Sequence, residues 1–108
     1  MRLESETIAA ISTPVGEGGI AVIRVSGPES IHLVDKLFKG KNRLINMQSH
    51  TVQYGKIIDP DSGEQIDEVL VLLMKSPRSF TTEDVVEIHC HGGLISVNKV
   101  LDVLLLQN

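Results

Sequence analysis

The residues with the greatest chemical potential in this 108-residue chain lie together in residues 80–93. From Val85 onward the residues alternate as in a strand, with one polar side and one apolar side. The polar side carries Glu87, His89 and His91, and the apolar side carries Val86, Ile88 and Cys90. The apolar side is predicted to face a core. A carboxylate and two imidazoles in a row suit metal binding, acid–base chemistry or ligand recognition.

A metal site is the first interpretation of this row, and the sequence does not favour it. Two histidines on one face without a third ligand do not define a zinc site. Strand alternation points Cys90 away from both histidines, which also argues against a cysteine–histidine nucleophile pair. His89 and His91 are therefore interpreted as structural or hydrogen-bonding groups and Cys90 as a small core residue. No metal is predicted.

Two charged residues, Arg24 and Glu87, stand inside otherwise apolar strand patterns. A buried charge without a partner is strongly unfavourable, so each must reach water or a partner. Arg24 either pairs with a surface carboxylate near a strand end or grips a planar anionic or carbonyl-bearing ligand. Glu87 either lies on a solvated face or accepts parallel N–H bonds from an amino-heterocycle such as a pterin. The residue pattern leaves both alternatives open.

Two further motifs are interpreted without a catalytic or binding role. Residues 16–21 match the loose dinucleotide pattern G-x-G-x-x-A, but these glycines lead into a β-branched strand, which favours a plain loop. A basic cluster, which comprises Lys36, Lys39, Lys41 and Arg43, follows the first predicted helix. A solvated helix end is favoured for it because the cluster has no interleaved aromatics and the chain is acidic overall.

Composition indicates one domain that covers residues 1–108. The net charge of -4 gives no general reason to expect nucleic-acid binding. The single cysteine excludes an internal disulfide and fits a reducing compartment. The sequence has no signal-peptide pattern and no membrane-length apolar run, so a cytoplasmic location is expected. Because the chain stops on the apolar run at residues 104–108, we interpret it as part of a longer protein.

Periodicity and turn signals predict the element order β-β-α-β-β-β-α. The predicted strands are residues 7–13, 19–26, 51–58, 66–74 and 85–90, and the predicted helices are residues 28–40 and 94–106. The first two strands can form a hairpin, and the third and fourth form the surest hairpin. The second helix has an apolar stripe formed by Leu94, Val97, Val100, Leu101, Leu104 and Leu105. The predicted fold is α+β, with a mixed sheet of about five strands covered by helices.

Three sequence blocks together resemble a known family: TIAAISTP at residues 7–14, GGIAVIRVSG at residues 18–27 and SFTTEDVVEIHCHGG at residues 79–93. In order and spacing they are similar to the N-terminal domain of the tRNA modification GTPase MnmE, also called TrmE. The resemblance covers nearly the whole chain. It implies a fold like the folate-binding domain of aminomethyltransferases, homodimerisation, and binding of a tetrahydrofolate derivative in its 5-formyl or 5,10-methylene form.

The resemblance also assigns residues and partners. The family's folate-contacting arginine and glutamate fall on Arg24 and Glu87, which are expected to contact one ligand, and a further contacting lysine falls beyond Asn108. The full-length protein is expected to hydrolyse GTP, with potassium and magnesium, and to modify carbon 5 of the tRNA wobble uridine. It does so in a heterotetrameric complex with the flavin-dependent MnmG, adding an aminomethyl or carboxymethylaminomethyl group.

The phosphate-binding pattern G-x-x-x-x-G-K-[ST] is absent from this sequence. The chain alone is therefore expected to lack GTPase activity and to hold no catalytic residue. Because the further folate-contacting lysine falls beyond Asn108, the folate site is expected to be weakened. The chain is also expected not to bind tRNA by itself. Two alternatives remain: a folate-dependent aminomethyltransferase-type domain, and a dimerisation module without a ligand.

Overall fold

A seven-stranded sheet forms the body of the molecule, and two helices pack against one of its faces. The computed structural model describes residues 2–3, 7–12, 20–91 and 93–107. Within these residues the strands are β1 (Arg2–Leu3), β2 (Thr7–Ile11), β3 (Ala21–Ser26), β4 (Phe38–Gly40), β5 (Thr51–Ile58), β6 (Gln65–Met74) and β7 (Val85–Cys90). The helices are α1 (Ser30–Asp35) and α2 (Gly93–Leu105), and a 3-10 turn covers Leu44–Asn46.

The strand order β1-β2-β3-β7-β6-β5-β4 places β7 at the centre of the sheet. β7 runs antiparallel to β3 on one side and to β6 on the other. The predicted pairings of β2 with β3 and of β5 with β6 are confirmed. The glycine-rich loop predicted between β2 and β3 falls on residues 13–19, which lie outside the described part of the chain. Because β7 joins the two hairpins, its side chains meet residues from both halves of the sequence.

The predicted α+β class is confirmed, but the predicted mixed sheet of about five strands is wrong in two respects. Every strand pair within the described residues is antiparallel, and seven strands are present. A parallel pair needs a crossover connection, whereas α1 leads into β4, which pairs antiparallel with β5. β1 and β4 have two and three residues, too few to produce a recognisable alternation.

Helix α1 ends at Asp35, well before the predicted end at Gly40, because the residues that follow are held by tertiary contacts. The buried Asp35 carboxylate accepts a 2.8 Å hydrogen bond from the Leu44 backbone N–H. A Cβ at Gly40 would lie 2.5 Å from the Phe38 ring, and a Cβ at Gly55 would overlap the same ring. The two glycines therefore make room for Phe38, whose packing holds residues 38–40 in a strand.

The covered face of the sheet packs against both helices to form one core. Its largest fully buried members include Ile23, Leu33, Leu73, Ile88 and Leu104. The stripe predicted for α2 is confirmed at Val97, Val100, Leu101 and Leu104, which are buried. Leu105 is partly buried and packs against the core, whereas Leu94 lies in the first turn and is 57% exposed. Neither described helix combines the length and the apolar character that crossing a bilayer requires.

The open face of the sheet, opposite the helices, carries the polar residues of β3 and β7. Cross-strand partners share a face of a sheet, so the pairing of Arg24 with Glu87 and of His89 with Leu70 places all four on the open face. The loop of residues 75–84 folds over one end of this face. The rest of the face is available to a ligand or a partner.

Candidate functional site

Strand register brings Arg24 and Glu87 together although 63 positions separate them in sequence. They are direct partners in the β3–β7 pair. Arg24 donates from Nε and Nη2 to the same Glu87 oxygen, Oε2, at 3.0 and 2.7 Å. The Glu87 side chain is 9% exposed, whereas that of Arg24 is 38% exposed. A nearly buried carboxylate is thus paired with a guanidinium that still reaches solvent.

His89 also contacts Glu87, and the three side chains of Arg24, Glu87 and His89 form what we call the charged row. The His89 Nε2 lies 3.1 Å from Oε1 of Glu87, so both carboxylate oxygens have a protein partner. His91 lies after the end of β7, and its backbone N–H donates to Oδ2 of Asp67 at 2.8 Å. The structure therefore groups Arg24, Glu87 and His89, and leaves His91 outside the group.

Phe80 covers the guanidinium from the loop of residues 75–84. Its ring centroid lies 4.8 Å from Arg24 Cζ, a cation–π distance, and its side chain remains 64% exposed. The loop is held by Asp84, whose Oδ1 accepts the Ser76 N–H at 2.7 Å. Sequence reasoning does not find Phe80, since its position over Arg24 depends on the path of the loop. The only indication of its role in the sequence is that Phe80 lies in the same sequence block as Glu87.

The electrostatics of the site keep Glu87 ionised. Burial acts to raise the pKa of the Glu87 carboxyl, but the hydrogen bonds and positive charge from Arg24, followed by those from His89, outweigh it. The pKa is therefore lowered from its usual value. Glu87 is an acceptor at neutral pH and is unsuited to act as a general acid there.

Cys90 takes no part in this chemistry. It points into the covered face and is 1% exposed, as the alternation of β7 predicts. Burial, and after it the negative charge of Asp67, raises the pKa of the thiol to about 12. The neutral thiol is a poor nucleophile. Among the described residues, no group of three or more histidine, cysteine, aspartate or glutamate side chains could hold a metal ion.

A shallow groove of about 180 Å³ lies beside the charged row on the open face. Ile20, Tyr54 and Leu70 give it apolar walls, and His89 and His91 add polar groups. His89 connects the groove to Glu87 through the contact described above. An apolar surface beside a few directed polar groups is the usual form of a small-molecule site.

The unused hydrogen-bonding positions define what the charged row can recognise. A carboxylate offers about four acceptor positions. Arg24 occupies two of them at Oε2 of Glu87, and His89 occupies one at Oε1, which leaves one position at Oε1. Arg24 keeps the N–H groups of Nη1 for another acceptor. The site therefore suits a planar group that carries a donor and an acceptor on the same edge.

The fold and the site together define an α+β domain with a polar recognition site on an open sheet face. Residues 7–108 match the family described as GTP-binding protein TrmE N-terminus. The chain belongs to this family, as its sequence blocks predict.

Three relatives carry the description tRNA modification GTPase MnmE. The protein from Oceanobacillus iheyensis is 56% identical over 103 residues, which cover 95% of this chain and 22% of that protein. The protein from Bacillus mycoides is 56% identical over 105 residues, covering 97% and 23%. The protein from Staphylococcus aureus strain Newman is 50% identical over 101 residues, covering 94% and 22%. The chain thus spans less than a quarter of the length of these relatives.

Proposed function

We propose that this chain binds a tetrahydrofolate one-carbon derivative, in the 5-formyl or 5,10-methylene form, through Arg24 and Glu87. The observation that carries the proposal is the charged pair on the open face, with unused donors, one unused acceptor position and an apolar groove beside it. The resemblance of the sequence blocks directs the proposal to folate. Membership of the family favours it over an aminomethyltransferase-type domain.

The chemistry of the pair fits a pterin ring. The pyrimidine half of a reduced pterin is planar and carries N–H donors and a carbonyl acceptor on its edge. Arg24 can donate from Nη1 to an acceptor, and Oε1 of Glu87 can accept one further N–H. If Glu87 accepted two parallel N–H bonds from the ligand, Arg24 would first release a bond at Oε2. Arg24 is therefore the primary contact in this proposal, and Glu87 orients it while accepting a single ligand donor.

The role of the longer protein is proposed from the names of the relatives and from the resemblance of the sequence blocks. In the proposal it is a GTP-hydrolysing enzyme of the cytoplasm that modifies carbon 5 of the tRNA wobble uridine with the flavin-dependent MnmG. GTP, potassium and magnesium belong to parts of the protein beyond this chain. This domain supplies the folate site and the homodimer contact, on a fold resembling that of aminomethyltransferase folate domains.

Titration calorimetry with 5-formyltetrahydrofolate tests the folate site. We expect Arg24→Ala to weaken binding by about tenfold to a hundredfold, because a hydrogen bond to a charged group contributes about 1.5–3 kcal/mol. Glu87→Ala is expected to weaken it similarly, since Arg24 loses its anchor. The titration is run on this chain and on a longer protein that continues past Asn108.

The matched control for this titration is the exposed ion pair between Lys99 and Glu64, whose atoms lie 3.4 Å apart. Lys99→Ala and Glu64→Ala remove one charge of each sign, as the site variants do, and are expected to leave the affinity unchanged. Unaltered affinity in both Arg24→Ala and Glu87→Ala would sink the assignment. So would the absence of heat from the unsubstituted longer protein.

Homodimerisation is the second function that a specific observation favours. Val52 and Leu70 are 58% and 46% exposed and lie on adjacent strands of the open face. Contiguous exposed apolar side chains of this kind mark interaction surfaces. We therefore assign the dimer contact to this patch, which is also the expected surface of a dimerisation module without a ligand.

Sedimentation equilibrium tests the dimer contact. The chain is expected to sediment as a dimer, and the double variant Val52→Lys, Leu70→Lys as a monomer, because two cations would be desolvated in the interface. The control variant Leu94→Lys, Ile95→Lys changes two exposed apolar residues of α2 and is expected to remain a dimer. A monomeric parent chain, or a dimeric Val52→Lys, Leu70→Lys variant, contradicts the proposal.

A further inference from the structure

A second polar surface lies at the β4 edge of the sheet, three strands away from the strand that carries Glu87. It encloses about 400 Å³. Its lining consists of Lys39, Gly40, Lys41, Tyr54, Gly55 and Lys56. We name it the lysine groove. Tyr54 also lines the apolar groove of the folate proposal, but neither that groove nor the charged row includes any of these lysines.

The placement of the lysines is unfavourable for the free domain. Lys39 and Lys56 are direct partners in the antiparallel β4–β5 pair, and both are exposed. Like charges directly opposite each other destabilise a sheet. Glu68 lies across from Lys56 on β6, but one carboxylate leaves the group of three lysines positive. Within the described residues, the only lysine in an ion pair is Lys99, which lies on α2 and does not line this groove.

The folded chain rearranges the basic cluster seen in the sequence. Arg43 still lines a pocket with Lys36, Lys39 and Lys41, but its charge is paired with that of Asp35, because its Nε donates to Oδ2 of Asp35 at 2.9 Å. β5 supplies a new cation, Lys56, and the exposed ring of Tyr54 beside it. In the folded chain the lysines therefore lie beside an aromatic ring, which the basic cluster lacks in the sequence. Cations around an exposed aromatic ring are the usual elements of a surface for single-stranded nucleic acid.

We propose that the lysine groove binds the phosphate backbone of RNA, with Tyr54 as a stacking surface for a base. The inference deepens the proposed function and rests on it, because the substrate class comes from relatives described as tRNA modification GTPases. It departs from the expectation, drawn from the sequence, that this chain does not bind tRNA by itself, because Lys39 and Lys56 meet only in the folded sheet. The bound phosphates supply the negative charge that the facing lysines lack. Because the chain as a whole carries a net charge of -4, binding depends on these local cations and is lost with them.

Fluorescence anisotropy with fluorescein-labelled, unfractionated tRNA tests the inference. The parent chain is compared with the triple variant Lys39→Gln, Lys41→Gln, Lys56→Gln at about 50 mM and about 200 mM salt, the range over which phosphate contacts weaken steeply. We expect the triple variant to bind at least about tenfold more weakly. Its slope of log K against log salt should fall by about two to three, since each phosphate contact contributes about 0.7–0.9.

The control is a second triple variant, Lys75→Gln, Arg78→Gln, Lys99→Gln, which changes the net charge equally outside the groove. It is expected to change the tRNA affinity by no more than about twofold, because distant exposed charges are largely screened at these salt concentrations. The groove variant should melt at or above the temperature of the parent chain, since it removes a repulsive pair. Weakened tRNA binding in that variant therefore reports a lost contact and not a lost fold.

Three outcomes overturn the inference. The first is no tRNA binding by the parent chain at about 100 µM and low salt, the weak end of non-specific affinities. The second is an equal loss in both triple variants, which reports net charge alone. The third is binding of labelled poly-glutamate as tight as that of tRNA with no effect of Tyr54→Leu, which identifies an acidic peptide as the occupant. Calorimetry of the groove variant with 5-formyltetrahydrofolate separates the two proposals, because its folate heat should match that of the parent chain.

Discussion

Replacing Gly27 with alanine is expected to lower the free energy of unfolding by about 3–5 kcal/mol, the sum of backbone strain and a steric clash. Gly27 has a φ of +138°, a conformation that side-chain-bearing residues rarely adopt. A Cβ there would lie 2.5 Å from the Cα of Thr7, so it would push on the backbone of β2. Against a typical total of about 5–15 kcal/mol, this loss lowers the melting temperature by about 15–30 °C.

The position of Gly27 explains why the chain cannot move away from the clash. It forms the corner between β3 and α1, where its N–H donates to the carbonyl of Asp84 at 3.0 Å. The N–H of Glu29 donates to Oγ1 of Thr7 at 3.1 Å, which holds β2 against the same corner. Arg24 lies three residues upstream on β3, so the corner also fixes the strand that carries the ligand contact.

Gly63→Ala is the matched control for this corner. Gly63 also has a positive φ, +77°, but nothing lies within 4 Å of the position its Cβ would take. It is therefore expected to cost only the conformational strain, about 1 kcal/mol. Thermal unfolding followed by circular dichroism compares the two variants. An equal loss in both would show that the contact with Thr7 contributes nothing.

Arg24→Ala is expected to destabilise the fold by about 1–3 kcal/mol at pH 7, because it leaves the buried Glu87 carboxylate with only His89 as a side-chain partner. Breaking a fully buried ion pair costs about 3–5 kcal/mol. The expected loss is smaller here since Arg24 is 38% exposed and solvent screens the pair. Lys99→Ala removes a cation from an exposed pair and should cost less than about 1 kcal/mol.

The destabilisation by Arg24→Ala is expected to depend on pH in a defined direction. The folded-state pKa of Glu87 is lowered, so its ionised form stabilises the parent chain above its usual pKa. That contribution is lost as the pH falls through the lowered folded-state pKa. Without Arg24, the pKa of Glu87 is lowered less, because only His89 still opposes the effect of burial. The gap between variant and parent should therefore be widest near neutral pH and shrink below about pH 4.

Urea unfolding at pH 7 and at about pH 3.5 measures this dependence, which follows the usual carboxyl range. A double-mutant cycle with Glu87→Ala isolates the pair, and the coupling between the two positions should be about 1–3 kcal/mol at neutral pH. A destabilisation that is the same at both pH values would show that Arg24 acts through packing of its aliphatic stem and not through the charge of Glu87.

Local patterns in the sequence determined a large part of the fold. The alternation in residues 85–90 predicted the strand β7 and the inward side of Cys90, and the turn between β5 and β6 predicted their hairpin. The apolar stripe of α2 predicted its buried face apart from Leu94. These features depend on residues that are close in sequence, so the periodicity of polar and apolar residues is enough to predict them. The sequence blocks likewise pointed to the family that residues 7–108 match.

Only the tertiary structure decided how these elements meet. Periodicity placed Arg24 and Glu87 on strands, but their direct pairing depends on β7 lying between β3 and β6. The same strand order sets Lys56 opposite Lys39 and brings Tyr54 to the lysine groove. These contacts join residues that are distant in sequence, so no short stretch of the sequence predicts them. They are selected by the free energy gained when the whole chain buries one shared core.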